Sequence, residues 1–439
     1  MRAAVVRASG STATFTRRVG LKRRLSARSE LAVEDDAYDA APKYSSKDIR
    51  SGPGLSHFIN RSASEPPAAA GKSDCGGKVA PREDEDKLAK LMRQVALAEA
   101  AEAAHERQSM LVDTHGRFHN YLRISLTERC NLRCTYCMPE DGVSLQPQSH
   151  LLTTDEIARV AQLFVRSGVD KVRLTGGEPL LRRDLADVVG RISALGVRHI
   201  GVTTNGLVLK QRVQALAAAG LSHVNVSLDT LQEQRFNAIT RRRGLEQVLA
   251  GIDAALDAGF GGRLKINCVV MGGVNEDELA AFVELGSSRP LDVRFIEWMP
   301  FDDNRWNEGK FVGYSSMLRS LQGSYPELAR SGDERNDTTK WYRVPGHEGR
   351  IGFITSMSEH FCGSCNRLRV MADGSLKVCL FDGDETLSLR DALRAGLPDR
   401  QLGALVHTAV LKKKAALGGH GDMQGIARSS NRPMILIGG

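Results

Sequence analysis

The sequence predicts an α/β fold built round a parallel sheet, with a smaller cysteine-bearing region after it. Three observations carry that expectation. Six short β-branched runs recur between residues 121 and 298. Helical patterns separate them, and alternating strand and helix is how crossovers join parallel strands. From about Tyr314 the alternation fades into short strands, turns bearing cysteine and a polar tail.

The predicted strands are Tyr121–Ser125, Lys171–Thr175, His199–Thr204, His223–Leu228, Arg263–Val270 and Asp292–Trp298. Helical spacing of apolar residues falls at Thr154–Ser167, Arg183–Ala194, Leu209–Ala219, Leu245–Ala258 and Glu276–Leu285. Six units are fewer than a full eight-stranded barrel needs, so the pattern admits a doubly wound sheet or a partial barrel. Residues 322–350 form a polar stretch without a period. Arg241–Arg243 reads as a solvated turn after a helix. There is no internal repeat.

Composition narrows the class. At 439 residues, 41% hydrophobic and 26% charged, the chain reads as globular with two or three domains. No apolar run approaches the ~18 residues of a membrane span. The net charge of +8 would suggest a nucleic-acid partner if it were spread over the fold. Arg2, Arg7, Arg17, Arg18, Lys22, Arg23, Arg24 and Arg28 account for all of it, and no acid precedes Glu30. The rest of the chain is neutral, and nucleic acid is not expected.

An Arg-, Ser- and Thr-rich, acid-free leader over residues 1–29 is the pattern of an organellar transit peptide. It predicts import into the mitochondrial matrix, with chloroplast import as the alternative. Residues 30–80 are rich in Ser, Pro, Ala and Gly and read as disordered. Residues 83–108 read as a helix exposed outside the fold, with order beginning near Thr114. The domain division is therefore 1–29 leader, 30–110 extension, 111–312 α/β body and 313–439 C-terminal region.

The strongest chemical signal is Tyr121–Met138, YLRISLTERCNLRCTYCM. Cys130, Cys134 and Cys137 stand at C-x3-C-x2-C directly after the first strand. Three thiolates on one loop suit three irons of a cubane cluster and leave the fourth open to a ligand. A structural zinc turn would want a fourth ligand. Cys362, Cys365 and Cys379 form a second set at C-x2-C-x13-C, for which a second cluster competes with zinc. Cys268 lies inside a strand and reads as a small buried apolar residue. Cys75 has no evident partner.

The cysteine loop, with an aromatic before its third Cys and followed by Gly176-Gly177-Glu178-Pro179, resembles the radical S-adenosylmethionine superfamily. The C-x2-C-N-R-L-R stretch, Cys379 and the terminal Gly438-Gly439 make the region from about Val112 to Gly439 similar to the GTP 3′,8-cyclase family of molybdenum cofactor biosynthesis. That resemblance implies an incomplete six-unit (βα) barrel with a C-terminal extension carrying a second iron–sulfur cluster. It implies two 4Fe-4S clusters, S-adenosylmethionine as cofactor and GTP as substrate. The product implied is (8S)-3′,8-cyclo-7,8-dihydroguanosine 5′-triphosphate, with 5′-deoxyadenosine and methionine released.

Carried over residue by residue, Tyr136, Gly177, Ser227 and Met299 match positions contacting S-adenosylmethionine. Arg123, Arg173, Thr203, Lys265, Arg367 and Arg369 match positions contacting GTP, and Gly438-Gly439 matches a tail that reaches the site. The resemblance also implies an electron donor, handover to cyclic pyranopterin monophosphate synthase, and a possible homodimer. The residues agree with it: arginine forks pair bidentately with phosphate oxygens, and α/β folds place sites at strand C-termini. Arg367 and Arg369 alternate on one strand and share a face. Two rivals stand beside this reading. One is a twin-cluster radical enzyme acting on a peptide. The other is a non-catalytic zinc-binding interaction protein.

Overall fold

The computed structural model describes residues 83–104, 109–302, 304–333, 336–383 and 387–438. The leader, residues 30–80, Cys75 and Gly439 lie outside the described residues.

All six expected strands are present: β1 (Tyr121–Ser125), β2 (Lys171–Thr175), β3 (His199–Thr204), β4 (His223–Ser227), β5 (Leu264–Val270) and β6 (Leu291–Glu297). They pair in sequence order, each parallel to the next. Before them comes α1 (Glu83–Ala104). Between them run α2 (Thr154–Arg166), α3 (Leu185–Ala194), α4 (Leu209–Ala218), α5 (Glu233–Thr240), α6 (Leu245–Ala255) and α7 (Leu279–Leu285). Helix α2 starts on a capping box, with Glu156 N donating to Thr153 Oγ1 at 3.2 Å and Thr153 N to Glu156 Oε2 at 2.8 Å. Helix α5 was not expected; it is short and has a polar mean composition.

The C-terminal region supplies α8 (Tyr314–Ser324), β7 (Ala329–Arg330), β8 (Thr339–Arg343), β9 (Ile351–Ile354), β10 (Arg367–Val370), β11 (Ser375–Lys377) and β12 (Leu387–Ser388). It ends in α9 (Leu389–Arg394), α10 (Asp399–Leu411), α11 (Met423–Arg428) and α12 (Met434–Ile437). Its strands do not form a separate layer. The twelve-stranded order is β12-β11-β10-β1-β2-β3-β4-β5-β6-β9-β8-β7. β10 lies parallel to β1 and β9 parallel to β6, so the six central strands are flanked on both sides. The outer strands are antiparallel and stop the sheet short of closing. The barrel is incomplete.

Side-chain alternation divides this sheet into two faces. Leu264, Ile266, Cys268 and Val270 of β5 are buried beneath the helices, while Lys265, Asn267 and Val269 point the other way. Cys268 is thus the buried apolar residue its strand position implies, only 1% exposed.

The helix over residues 83–104 does not stand outside the fold. Leu91, Val95 and Ala98, spaced one turn apart, are buried in the main core. The helix packs on α10, and Gln401 Nε2 donates to Glu99 Oε1 at 3.0 Å. An Ala- and Glu-rich pattern hides so narrow an apolar stripe, which makes sense only beside its distant partner.

Candidate active site

Strand register puts the expected substrate residues on rungs. Arg369, Arg123 and Arg173 are direct neighbours across β10, β1 and β2, and Arg173 is followed by Gly201 on β3. One rung below, Arg367, Tyr121 and Lys171 align in the same way. Thr203 and Lys265 flank Asn225 across β3, β4 and β5. All of these side chains share the face opposite the helices.

Few acids balance this face, and the titrating groups show it. Burial, with the charges of Arg369, Arg173 and Arg367, pulls Arg123 down to about 9 against the opposing influence of Tyr121. Burial and then Arg294 bring Lys265 down to about 8, although Asp292 and Asp337 act in its favour. Burial raises Tyr121, but Arg173, Arg123, Lys171 and Arg367 outweigh it and hold the phenol at about 7. Its hydroxyl accepts from Arg173 Nε at 2.7 Å, and the Arg367 guanidinium lies 5.7 Å from its ring centre. Nη1 of buried Arg367 and Oδ1 of buried Asn225 have no hydrogen-bond partner among the described residues. An orphaned donor and an orphaned acceptor among crowded cations are what a polyanion with polar edges would satisfy.

The cysteine loop leaves the same end of β1. Arg133 N and Thr135 N donate at 2.9 Å to the carbonyls of Thr240 and Ile239 at the end of α5. Arg241 Nη1 donates to the Arg133 carbonyl at 2.9 Å, so Arg241 braces this loop and is not simply a solvated charge. The three thiols are partly buried. Desolvation pushes all of them up, Cys137 to about 12, and the charges acting on Cys134 and Cys137 are those of other cysteines and Asp229. Thiolates there need a cation, as an iron–sulfur cluster provides.

Two adjoining cavities open beside the loop. One is lined by Cys134, Tyr136, Asn205, Ser227 and Asp229, the other by Tyr136, Trp298, Met299 and Met434. Tyr136, Ser227 and Met299 are therefore brought together. Gly177 sits at the end of β2, where a Cβ would meet the Arg129 carbonyl oxygen at 2.4 Å. Only glycine permits that backbone approach. The next residue, Glu178, is fully buried and clamps β3: its carboxylate accepts from Leu180 N at 2.9 Å, Thr204 Oγ1 at 2.8 Å and Asn205 N at 2.6 Å.

Cys362, Cys365 and Cys379 lie around the start of β10 and the end of β11. Their surroundings differ from the first set. Burial raises Cys365, but Lys413 and Arg367 outweigh it and hold the thiol at about 7. Helix α12 carries Gly438 inward. Gly438 is buried, takes φ +84°, and its carbonyl accepts from Arg123 Nη2 at 3.3 Å.

The Radical SAM superfamily pattern matches residues 124–286 and the Molybdenum Cofactor Synthesis C pattern residues 291–418. A protein of Arabidopsis thaliana named "GTP 3′,8-cyclase, mitochondrial" is 49% identical over 331 residues, covering 75% of this chain and 84% of its own. The "GTP 3′,8-cyclase" of Pelotomaculum thermopropionicum is 45% identical over 304 residues, covering 69% of this chain and 93% of its own. This chain belongs to the GTP 3′,8-cyclase family. "Molybdenum cofactor biosynthesis protein 1" of Bos taurus is 54% identical over 330 residues, 75% of this chain but 51% of its own length. The chain thus spans about half the length of such animal relatives. As a radical SAM family member it takes an iron–sulfur cluster and S-adenosylmethionine.

Sequence reading missed several residues that the GTP 3′,8-cyclase fold places here. Lys171 lies two positions before Arg173, and alternation on β2 would have found it. Arg294 on β6 lies on the same sheet face as Lys265 on β5 and donates from Nη2 to Asn267 Oδ1 at 2.6 Å. Tyr121 and Glu178 stand inside quoted motifs without a role. Lys413 lies in a run of three lysines, where nothing local marks it.

Proposed function

We propose that this chain catalyses the radical cyclisation of GTP to (8S)-3′,8-cyclo-7,8-dihydroguanosine 5′-triphosphate, the first step of molybdenum cofactor biosynthesis. Cys130, Cys134 and Cys137 hold one 4Fe-4S cluster, and Cys362, Cys365 and Cys379 a second. The chemistry supplied there is one-electron cleavage of the sulfonium of S-adenosylmethionine and removal of the ribose 3′ hydrogen, giving 5′-deoxyadenosine and methionine.

The chain's own residues bind and orient. Tyr136, Gly177, Ser227 and Met299 seat S-adenosylmethionine beside the first cysteine loop. Arg123, Arg173, Arg367 and Arg369, with Lys265 and Thr203, hold GTP on the polar face of the sheet. Gly438 helps close the mouth against water, which would quench a radical. The observation that carries this reading is the rung of Arg369, Arg123 and Arg173, three arginines in register on adjacent strands, of which β1 leads into the first cysteine loop and β10 follows Cys362 and Cys365. Three such forks match a triphosphate.

Residues 1–29 direct import into the mitochondrial matrix. An electron donor and cyclic pyranopterin monophosphate synthase, the next enzyme, are its partners.

Anaerobic reconstitution followed by incubation with GTP and S-adenosylmethionine tests the proposal. About eight irons per chain are expected, with cyclised nucleotide and 5′-deoxyadenosine formed together. Arg367→Ala should still release 5′-deoxyadenosine but lose cyclisation. Normal cyclisation by that variant, or zinc in place of iron, would overturn the assignment.

A further inference from the structure

Lys413 stands just beyond the C-terminus of α10 and is 3% exposed. Its Nζ lies 3.4 Å from Cys365 Sγ and donates to the Arg367 carbonyl at 2.9 Å. Burying an ammonium is costly unless it is paired. Here its partners are a sulfur and a backbone carbonyl, not a carboxylate.

The backbone around it is fixed. Lys413 N donates to the Val410 carbonyl at 3.0 Å. The buried guanidinium of Arg117 donates from Nη1 to the carbonyls of Cys362 at 2.8 Å and Ala415 at 2.7 Å, and from Nη2 to that of Lys414 at 2.8 Å. Its Nε is held by Asp113 Oδ2 at 2.6 Å. Leu417 N points at Cys362 Sγ at 3.4 Å. One segment, residues 413–417, thus directs an ammonium at one cysteine sulfur and an amide at another. The segment is held in turn by the arginine that fixes the cysteine turn. In the first set Cys130 Sγ accepts from Leu132 N at 3.4 Å and Asn205 Nδ2 at 3.8 Å, but among the described residues no lysine ammonium lies against a sulfur there.

We propose that Lys413 is a positioning residue that sets the electron affinity of the cluster at Cys362, Cys365 and Cys379 by placing a fixed positive charge against the Cys365 sulfur. The inference rests on the two-cluster reading above. Hydrogen bonds and charge at ligand sulfurs are among the levers that set cluster potentials. Reduction adds a negative charge, and a cation beside the sulfur favours the reduced form. The link through the Arg367 carbonyl also ties that sulfur to the strand carrying the substrate arginines.

The test is an anaerobic redox titration of the reconstituted full chain followed by electron paramagnetic resonance. The second-site signal is identified by its loss in Cys379→Ser. Lys413→Gln keeps a donor without the charge, and Lys413→Met removes both. The second-site midpoint should move to more negative potential in both variants, further in Lys413→Met, while the first-site midpoint stays at its wild-type value. A lysine that only fills space would change the melting temperature and leave both midpoints where they were, which would overturn the proposal. Loss of the second signal in Lys413→Gln would overturn it too, in favour of a purely structural lysine. About four irons and one midpoint in the wild-type chain would instead retire the two-cluster reading itself.

Discussion

The carbonyl of Gly438 accepts a hydrogen bond from Arg123 Nη2 at 3.3 Å, so the segment after α12 rests on the middle arginine of the cationic rung. A Cβ on Gly438 would meet Thr175 Oγ1 at 2.7 Å and Ser125 Cβ at 2.9 Å, and its φ of +84° is one that L residues avoid. Gly438→Ala should therefore withdraw the tail while leaving the sheet intact. We expect cyclisation to fall by roughly tenfold or more, equivalent to ~1.4 kcal/mol, with an unchanged melting temperature. Comparing product formation with thermal denaturation checks this.

Gly201 tests the same rung from its other end. A Cβ there would meet Arg173 Cζ and Nη2 at 2.8 Å each. A guanidinium is a movable group, so Gly201→Ala should fold but shift Arg173 off its place. The KM for GTP should rise by roughly tenfold, the loss of ~1.4 kcal/mol of binding. S-adenosylmethionine cleavage should persist. An unchanged KM would show that Arg173 does not touch the nucleotide.

Glu178 predicts a pH dependence of unusual direction. Burial raises its carboxyl from 4.5 to about 7, in spite of bonds from Asn205, Leu180 and Thr204 that oppose the shift. A carboxyl raised on folding contributes stability that is fully present below 4.5 and is lost as pH rises through about 7. Denaturant melts at about pH 5 and pH 8 should show a smaller pH-dependent loss in Glu178→Gln than in the wild-type chain. Equal slopes would mean that the carboxylate is ionised at little cost.

Val95 is 2% exposed where the N-terminal helix meets α10. Val95→Asp buries an unpaired charge, an effect in the range of ~2–5 kcal/mol. The helix should detach and become sensitive to protease, while the cysteine sets keep their iron. Limited proteolysis with an iron count checks both halves.

The central strands were readable because their period is local. The expected His223–Leu228 and the observed His223–Ser227 differ by one residue. The cysteine sets and the Arg367–Arg369 pair were readable for the same reason, being written in short spacings. What escaped depends on partners far along the chain. The stripe of Leu91, Val95 and Ala98 has meaning only beside α10, and Lys413 is one of three consecutive lysines until the fold buries it. Lys171 was a different kind of miss: it shares the Arg173 face by simple alternation. The short strands of residues 322–350 were illegible because their pairing partners, not their own sequence, make them strands.

The position of β10 has a consequence for how the molecule can be made. Residues 121–124 pair on one side with residues 171–174 and on the other with residues 367–370. During synthesis β1 therefore keeps one edge unpaired until most of the polypeptide has emerged. An open parallel edge invites pairing with other chains, and contacts so distant in sequence form late. Nonsense mutations or proteolytic cuts before residue 367 would preserve the first cysteine loop yet leave its supporting strand uncovered. Such fragments should aggregate rather than persist as partly active enzymes, which makes the molecule all-or-none with respect to truncation.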